Sequence, residues 1–352
     1  MSSPSGTPSV AVLGLGGTIA MTASPEANGL TPALSANQLV AAVPGLAAIG
    51  VRIVVEDVRQ VPGACLTFGD IGALAVAIRD QFSTVDGVVV IQGTDTVEET
   101  AYLLGLIHQT RQPVVFTGAM RSPSLAGHDG PANVFAAIQV AASPAFQGCG
   151  SLVVMADEIH AAARVRKGHT TSNGAFESPN SGPIGLVIEG KPVLVSGPPA
   201  RFVVPATNLG APRIGMVTIT LADDGTLLNA CANCDGLVVA AFGAGHVPAQ
   251  LVPMLATLAK TMPVVLASRV GAGSVLAHTY GFVGSEQDLR SCGLIGAGFL
   301  DPLKARVLLH ALLAADADTA TIRTAFAAAG GEADPETWPW PIVSDCKKPT
   351  RA

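Results

Sequence analysis

The chain has 352 residues, 49% of them hydrophobic and only 13% charged, which is material for two domains of roughly 150 residues or slightly more each. The charge content is well below the roughly 25% of an ordinary soluble domain, so some surface is expected to be hidden in subunit contacts. A net charge of −6 argues against nucleic-acid and anionic-membrane partners, and no apolar run reaches the roughly 18 residues that a membrane helix requires. The first nine residues carry no Lys or Arg and the apolar stretch after them is broken by glycines, so no secretory leader is expected and the cytoplasm is the default location. Six cysteines in a chain of this size do not make a disulfide scaffold. Cys231 and Cys234 form a lone CxxC with no second pair, and His246 has no partner His at zinc-finger spacing, so they are read as unpaired thiols.

Val10 to Leu13 is an apolar, β-branched run that predicts a buried first strand. It ends in Gly14-Leu15-Gly16-Gly17-Thr18-Ile19-Ala20, where adjacent glycines permit a sharp turn and present Thr18 at a strand end. In an open α/β sheet that is the ligand crevice. A cap for the next segment is the competing reading of Thr18. A dinucleotide fingerprint fails, because the sixth position counted from Gly14 is Ile19, and a P-loop fails because no Lys follows the glycines. Met21 to Ala36 is rich in Ser, Thr, Pro, Gly and Asn, the composition of a mobile loop and a candidate lid.

A second strand is predicted at Val51 to Val55 and a helix through Phe82 with Asp70 as its cap. Gly87 to Ile91 is the third strand, running into Gln92-Gly93-Thr94-Asp95 and a helix with Glu98 and Glu99 in its first turn. Pro113 to Phe116 is the fourth, followed by the turn Thr117 to Arg121 and a helix at Ala132 to Ala142 with Asp129 as cap. Leu152 to Met155 is the fifth, followed by Arg164, Arg166 and Lys167. Gly185 to Ser196 predicts an edge hairpin, and the proline-rich 197–212 a linker. Beyond it strands are expected near 215–220, 236–241 and 264–267, with helices near 248–260, 302–314 and 319–329, the last capped by Asp318. Strands alternating with helices imply a mostly parallel sheet with helices on both faces in a larger domain, residues 1–196, and a smaller α/β domain, residues 213–352.

Thr18 and Thr94 thus stand at two strand ends in one crevice, and Asp95 sets a carboxylate beside the second hydroxyl. A threonine hydroxyl needs a base to become a nucleophile, and Lys167, just beyond the fifth strand, is a candidate for proton transfer. Read singly, Thr94 and Asp95 could cap the following helix and Lys167 could be a solvated charge.

Together these segments resemble the bacterial-type L-asparaginases. The likeness is carried by GLGGTIA, IQGTDTVEETA, TGAMRSPSLAGHDGPANVFAA and VRKGHTTSNGAFES, and, in the second half, by AFGAGHVP, SRVGAG and DPLKARVLL. The resemblance implies a two-domain hydrolase that converts L-asparagine to L-aspartate and ammonia without metal or cofactor, with Thr18 as nucleophile and Thr94, Asp95 and Lys167 as a second catalytic set. It also implies that Asp95 pairs with the substrate ammonium group, that backbone near Ala64, Thr94 and Ala119 contacts the substrate, and that the enzyme is a homo-oligomer, dimer or tetramer. In such an assembly Glu286 would complete a neighbouring copy's substrate site; a solvated acid at a helix start is the other reading.

The chain departs from the pattern in three places. The segment 21–36 lacks the tyrosine that secreted members place near the nucleophile, and Thr31 stands about where it would be; the substrate loop reads Gly63-Ala64-Cys65 without the usual serine; and Gln92 replaces a His of many secreted members. A broader glutaminase-asparaginase and a catalytically inactive amino-acid-binding homologue therefore stay open. A tRNA-dependent amidotransferase subunit lacks its expected extra domains and basic surface here, and a nucleotide-binding oxidoreductase lacks its fingerprint.

Overall fold

The structure is a computed structural model that describes residues 6–24, 29–32, 34–206 and 208–342. The chain divides into two units at Arg201 and Phe202, within the proline-rich stretch read as a linker.

The first unit is built on an eight-stranded sheet. In chain order it contains β1 (Ser9–Gly14), β2 (Met21–Ser24), β3 (Gly29–Pro32), α1 (Ala36–Ala41), β4 (Arg52–Asp57), α2 (Phe68–Gln81), β5 (Gly87–Ile91), α3 (Val97–Ile107), β6 (Val114–Thr117), α4 (Gly130–Ala142), β7 (Ser151–Met155) and β8 (Glu158–Ala161). The pairs β9 (Arg166–Lys167) with β10 (Phe176–Glu177), and β11 (Gly185–Ile188) with β12 (Lys191–Leu194), follow. The sheet order is β12-β11-β8-β7-β6-β5-β1-β4. Strands β4, β1, β5, β6 and β7 are parallel, and β8, β11 and β12 extend the β7 edge antiparallel. Numbered by their order along the chain, the five parallel strands run 2-1-3-4-5. The strand order reverses between β1 and β5, where an open α/β sheet leaves its ligand crevice.

Alternation along the strands sorts the core into two layers. Val10, Val12, Val89 and Ile91 face α4 and α1, whereas Ala11, Leu13, Val88 and Val90 face α2 and α3. Helices therefore cover both faces, and strands buried on both sides read as continuous apolar runs. Each fully buried Val, Leu or Ile contributes about 1.5–3 kcal/mol, which is why this registry is not negotiable at β1.

Several elements differ from expectation. The segment expected to be a mobile loop contains an antiparallel hairpin, β2 paired with β3, then helix α1; residues 25–28 and 33 lie outside the described residues. Helix α2 is capped by Thr67, and Asp70 is the reciprocal partner three residues on, its Oδ2 accepting from the Thr67 backbone N–H while Thr67 Oγ1 accepts from Asp70 N. Asp70 was the more acidic and therefore the more conspicuous cap. Strand β8 was not foreseen: the β7–β8 turn consists of Ala156 and Asp157, both with positive φ (49° and 63°), the twist a two-residue hairpin favours but without the Asn-Gly signal. The expected hairpin near Glu189 and Gly190 is present as β11 and β12. At the end of this unit Arg201 is buried, its Nη2 donating to His108 O (2.8 Å) and its Nη1 to Thr110 O (3.1 Å) and Gly148 O (3.5 Å).

The second unit carries a four-stranded parallel sheet in sequential order: β13 (Ile214–Thr218), β14 (Gly236–Ala241), β15 (Val264–Ser268) and β16 (Ile295–Gly296). Its helices are α5 (Thr226–Ala230), α6 (Val252–Leu258), α7 (Glu286–Ser291), α8 (Pro302–Ala314) and α9 (Thr319–Ala329). The last two match their predicted bounds, and Asp318 caps α9 by accepting from Thr321 N. The short α5, α7 and β16 were not predicted; none is long enough to show a hydrophobic period. The tryptophan segment, uninformative in sequence, packs back on this unit, Trp338 Nε1 donating to Val203 O (3.1 Å). All five cysteines among the described residues are free thiols. No helix among the described residues is long and apolar enough to cross a membrane.

Candidate active site

Three glycines set the geometry at the β1/β5 crevice. Gly17 has φ +95°, and a Cβ there would lie 2.2 Å from both Cα and N of Gly93. A Cβ on Gly63 would lie 2.7 Å from Gly93 O. The backbones that follow β1, β4 and β5 therefore touch directly, which only residues without a side chain allow. Further bonds lace them together: Leu15 N donates to Ile91 O (2.9 Å), Val61 N to Leu15 O (3.1 Å), and Thr96 Oγ1 to Gly63 O (2.9 Å). Thr96 Oγ1 in turn accepts from Gln92 Nε2 (3.0 Å), which also donates to Thr100 Oγ1 (3.1 Å). The consequence is that Thr18, Ala64 and Thr94, each the residue after one of these glycines, are brought to one place by backbone contact.

Thr18 opens a single 3-10 turn closed by Ala20 N donating to Gly17 O (2.9 Å). Thr94 is buried and Asp95 exposed, and neither caps α3, whose N-cap position is Thr96. Lys167 reaches both. Its Nζ donates to Thr94 Oγ1 (3.0 Å) and to Asp95 Oδ1 (3.0 Å). The lysine is held from behind, since its backbone N donates to Glu98 Oε2 (3.1 Å) and Glu98 is itself buried. Glu98 thus serves as more than a first-turn acid favoured by the helix dipole: it fixes the strand that carries Lys167. The Lys167 side chain is 15% exposed and that of Asp95 is 64% exposed, so the ammonium is shielded while the carboxylate remains open to a cationic ligand.

Ala119 follows β6 and is buried. Asp129 had been expected to cap α4; its side chain makes no such bond and instead accepts from Met120 N (3.0 Å) and Arg121 N (2.9 Å). Asn133, one turn into α4, donates to Gly118 O and to Asp129 Oδ2 (3.0 Å each) and accepts from Ala156 N (3.0 Å). These two residues stiffen the turn that presents Ala119 beside Thr94. A Cβ on Gly118 would lie 3.2 Å from Thr94 Cγ2. Glu98, Asp129 and Asn133 carry no local signal as site supports: the bond from Lys167 N to Glu98 spans 69 residues, that from Ala156 N to Asn133 spans 23, and Asp129 reads in sequence as a helix cap.

Ala64 and Cys65 are exposed in a short 3-10 turn, Gly63–Cys65. Glu286 belongs to the second unit and is not a solvated acid. It is fully buried, with Oε1 accepting from Thr279 N (2.8 Å) and Tyr280 N (2.7 Å) and Oε2 lying 3.4 Å from His246 Nε2. Burial pushes its carboxyl pKa up, but the Tyr280 and Thr279 backbone N–H groups outweigh that and hold it below the ordinary value. Within this chain its contacts are to the loop just before α7 and to His246, which follows β14.

The family comparison matches this architecture in both units. Residues 9–200 match the family described as asparaginase, N-terminal, and residues 213–326 the glutaminase/asparaginase C-terminal domain. The chain is 37% identical to a probable L-asparaginase of Deinococcus radiodurans, over 92% of this chain and 98% of that protein. It is 34% identical to L-asparaginase 2 of Escherichia coli, over 91% and 92% respectively. Among solved structures, a probable cytoplasmic L-asparaginase from Campylobacter jejuni superposes with a TM-score of 0.81 at 30% identity, covering 91% of this chain and 99% of that one. The fold, the crevice and these relatives together place the chain in the asparaginase family.

Proposed function

We propose that the chain hydrolyses the side-chain amide of L-asparagine to L-aspartate and ammonia, with Thr18 as nucleophile. The observation that carries this reading is the Lys167 ammonium shared between Thr94 Oγ1 and Asp95 Oδ1, 3.0 Å from each, at the crevice where the Thr18 turn is pinned to Gly93. Asp95, the exposed member, binds the α-ammonium of the substrate as a charge-assisted pair. Backbone donors at Thr94 and Ala119 polarise the amide carbonyl and take up the charge on its oxygen as Thr18 Oγ bonds to the carbon. The Thr18 proton is passed through the Thr94–Lys167 pair to the amide nitrogen, the C–N bond breaks and ammonia leaves. Water then adds to the aspartyl ester, and Thr18 Oγ departs with a proton to restore the free enzyme.

The nucleophile's activation is assigned to Thr94 and Lys167 because the segment 21–36 offers no tyrosine. Glutamine is the second substrate to consider: Ala64 and Cys65 replace the hydroxyl that would fix the α-carboxylate, and a looser grip there tolerates a longer side chain. A homo-oligomer is part of the proposal. Tyr280, Phe282 and Val283 form an exposed apolar edge beside the buried Glu286, and through it the Glu286-anchored loop would complete a neighbouring copy's site. A cytoplasmic location accords with the resemblance to the Campylobacter jejuni protein.

Ammonia release from L-asparagine and L-glutamine tests the reading, with Thr18→Ala and Lys167→Met as variants. Release from asparagine is expected to fall by at least about 1,000-fold in both, and the glutamine trace measures breadth. Folded wild-type protein that releases ammonia from neither amide would leave an amino-acid-binding homologue as the surviving reading.

A further inference from the structure

A cavity separate from the Thr94–Lys167 pair opens at the root of the β2–β3 hairpin. Its volume is about 90 Å³, and its walls are Ile19, Leu34, Leu39 and Val134, with Arg121 and His128 at the mouth. The hairpin's two ends meet there: Ile19 precedes β2, Leu34 follows β3, and Leu34 N donates to Ala20 O (3.0 Å). The opposite wall is held close by Gly130, where a Cβ would lie 2.8 Å from Ile19 Cγ1.

The chemistry of the lining is asymmetric. Ile19, Leu39 and Val134 are almost wholly buried and present only hydrocarbon. Asparagine does not suit such walls, because its amide and ammonium groups would lose water without gaining partners there. Arg121 and His128, in contrast, are exposed at the rim. The Arg121 backbone is fixed by its N–H to Asp129, and its Nη1 donates to Ala126 O and Gly127 O at 3.4 Å each. These bonds involve one of three guanidinium nitrogens, and the planar fork is the donor that fits a carboxylate.

We propose that this cavity binds a short branched aliphatic monocarboxylate, its alkyl end among Ile19, Leu39 and Val134 and its carboxylate on Arg121. The size sets the limit: an engineered apolar cavity of about 150 Å³ holds benzene, so a chain of four or five carbons fills this one and a fatty acid does not enter. An occupant bridges both ends of the hairpin and lies against the residue that follows Thr18.

The probe is 3-methylbutanoate, titrated against the full chain by ligand-observed saturation-transfer NMR, with 3-methylbutan-1-ol as the uncharged counterpart. Binding near 1 mM is expected for so few atoms. Arg121→Met should weaken it about tenfold and leave the alcohol unaffected, and Ala42→Phe, which fills the cavity from an exposed position at its rim, should abolish both. Excess L-aspartate should not displace the probe. Thermal melts of both variants establish that they fold. No saturation transfer up to 20-fold above that concentration, unchanged binding in Ala42→Phe or in Arg121→Met, or displacement by L-aspartate would each overturn the proposal. None of these outcomes depends on ammonia release.

Discussion

A methyl group added at Gly17 would lie 2.2 Å from the Gly93 backbone, in a residue whose φ is +95°. The left-handed conformation costs an ordinary residue about 1–2 kcal/mol, and forcing apart packed backbone adds about 1–3 kcal/mol. Gly17→Ala is therefore expected to lower the melting temperature by roughly 10 °C and to remove ammonia release beyond what that loss explains, because the Thr18 and Thr94 turns separate. A variant as active and as stable as wild type would show that the glycine contact does not position the site. The meeting of Thr94, Asp95 and Lys167 could be anticipated because each sits in a motif or just beyond a strand end, and Thr18 enters the proposal through its motif and its place after β1. Glu98 was legible only as a helix-start acid: its bond to Lys167 N spans 69 residues, and no local pattern records such a contact.

At the scale of elements, α4 is both a core helix and the back wall of the Ala119 turn. Asn133→Leu keeps the branched outline of four side-chain heavy atoms but strips the partners of Gly118 O and Ala156 N. Each stranded buried group costs about 1–3 kcal/mol, so a clear loss of stability is expected, together with a fall of about tenfold in kcat as the Ala119 backbone loosens. Thr67→Ala supplies the contrast. It removes the α2 cap, worth about 1 kcal/mol, and should leave kcat unchanged. Measuring melts and kcat for the pair separates a positioning role from a merely stabilising one. The long strands could be read from the sequence as unbroken apolar runs, and the long helices from the segments between them with their capping residues. The β2–β3 hairpin and β8 could not: the first has a loop's composition, and the second is joined by an Ala156-Asp157 turn whose positive φ angles carry no Gly or Asn signature.

For the whole molecule, buried histidines set the acid limit. His108 in the first unit and His310 in the second have pKa values lowered to about 4. Burial is the main cause in both, with Arg201 beside His108 and Arg306 beside His310 adding to it. A histidine whose folded pKa lies below its unfolded value of about 6.5 binds its proton more readily when unfolded. Its contribution is complete above pH 6.5 and is lost as pH falls from 6.5 toward 4. Melting temperature is thus expected to decline through that window, and His108→Gln or His310→Gln should flatten the decline. A melting temperature constant from pH 7 to 4.5 would contradict the assignment. The division into two α/β halves was legible from the proline-rich stretch 197–212, and the boundary between Arg201 and Phe202 falls inside it; the part Arg201 plays there was not, because that residue is marked only by what its side chain reaches.

That residue, Arg201, has a practical consequence for anyone who would take the halves apart. Its guanidinium gathers the carbonyls of His108, Thr110 and Gly148, which lie on the approaches to β6 and β7 and so behind the strand that leads into the Ala119 turn. A first half cut at Ser196, where the edge hairpin ends, would leave those three acceptors without their donor, whereas a cut after Pro205 would keep it. The longer fragment is expected to be recovered soluble and the shorter to aggregate on expression, and equal recovery of the two would show that the latch is dispensable.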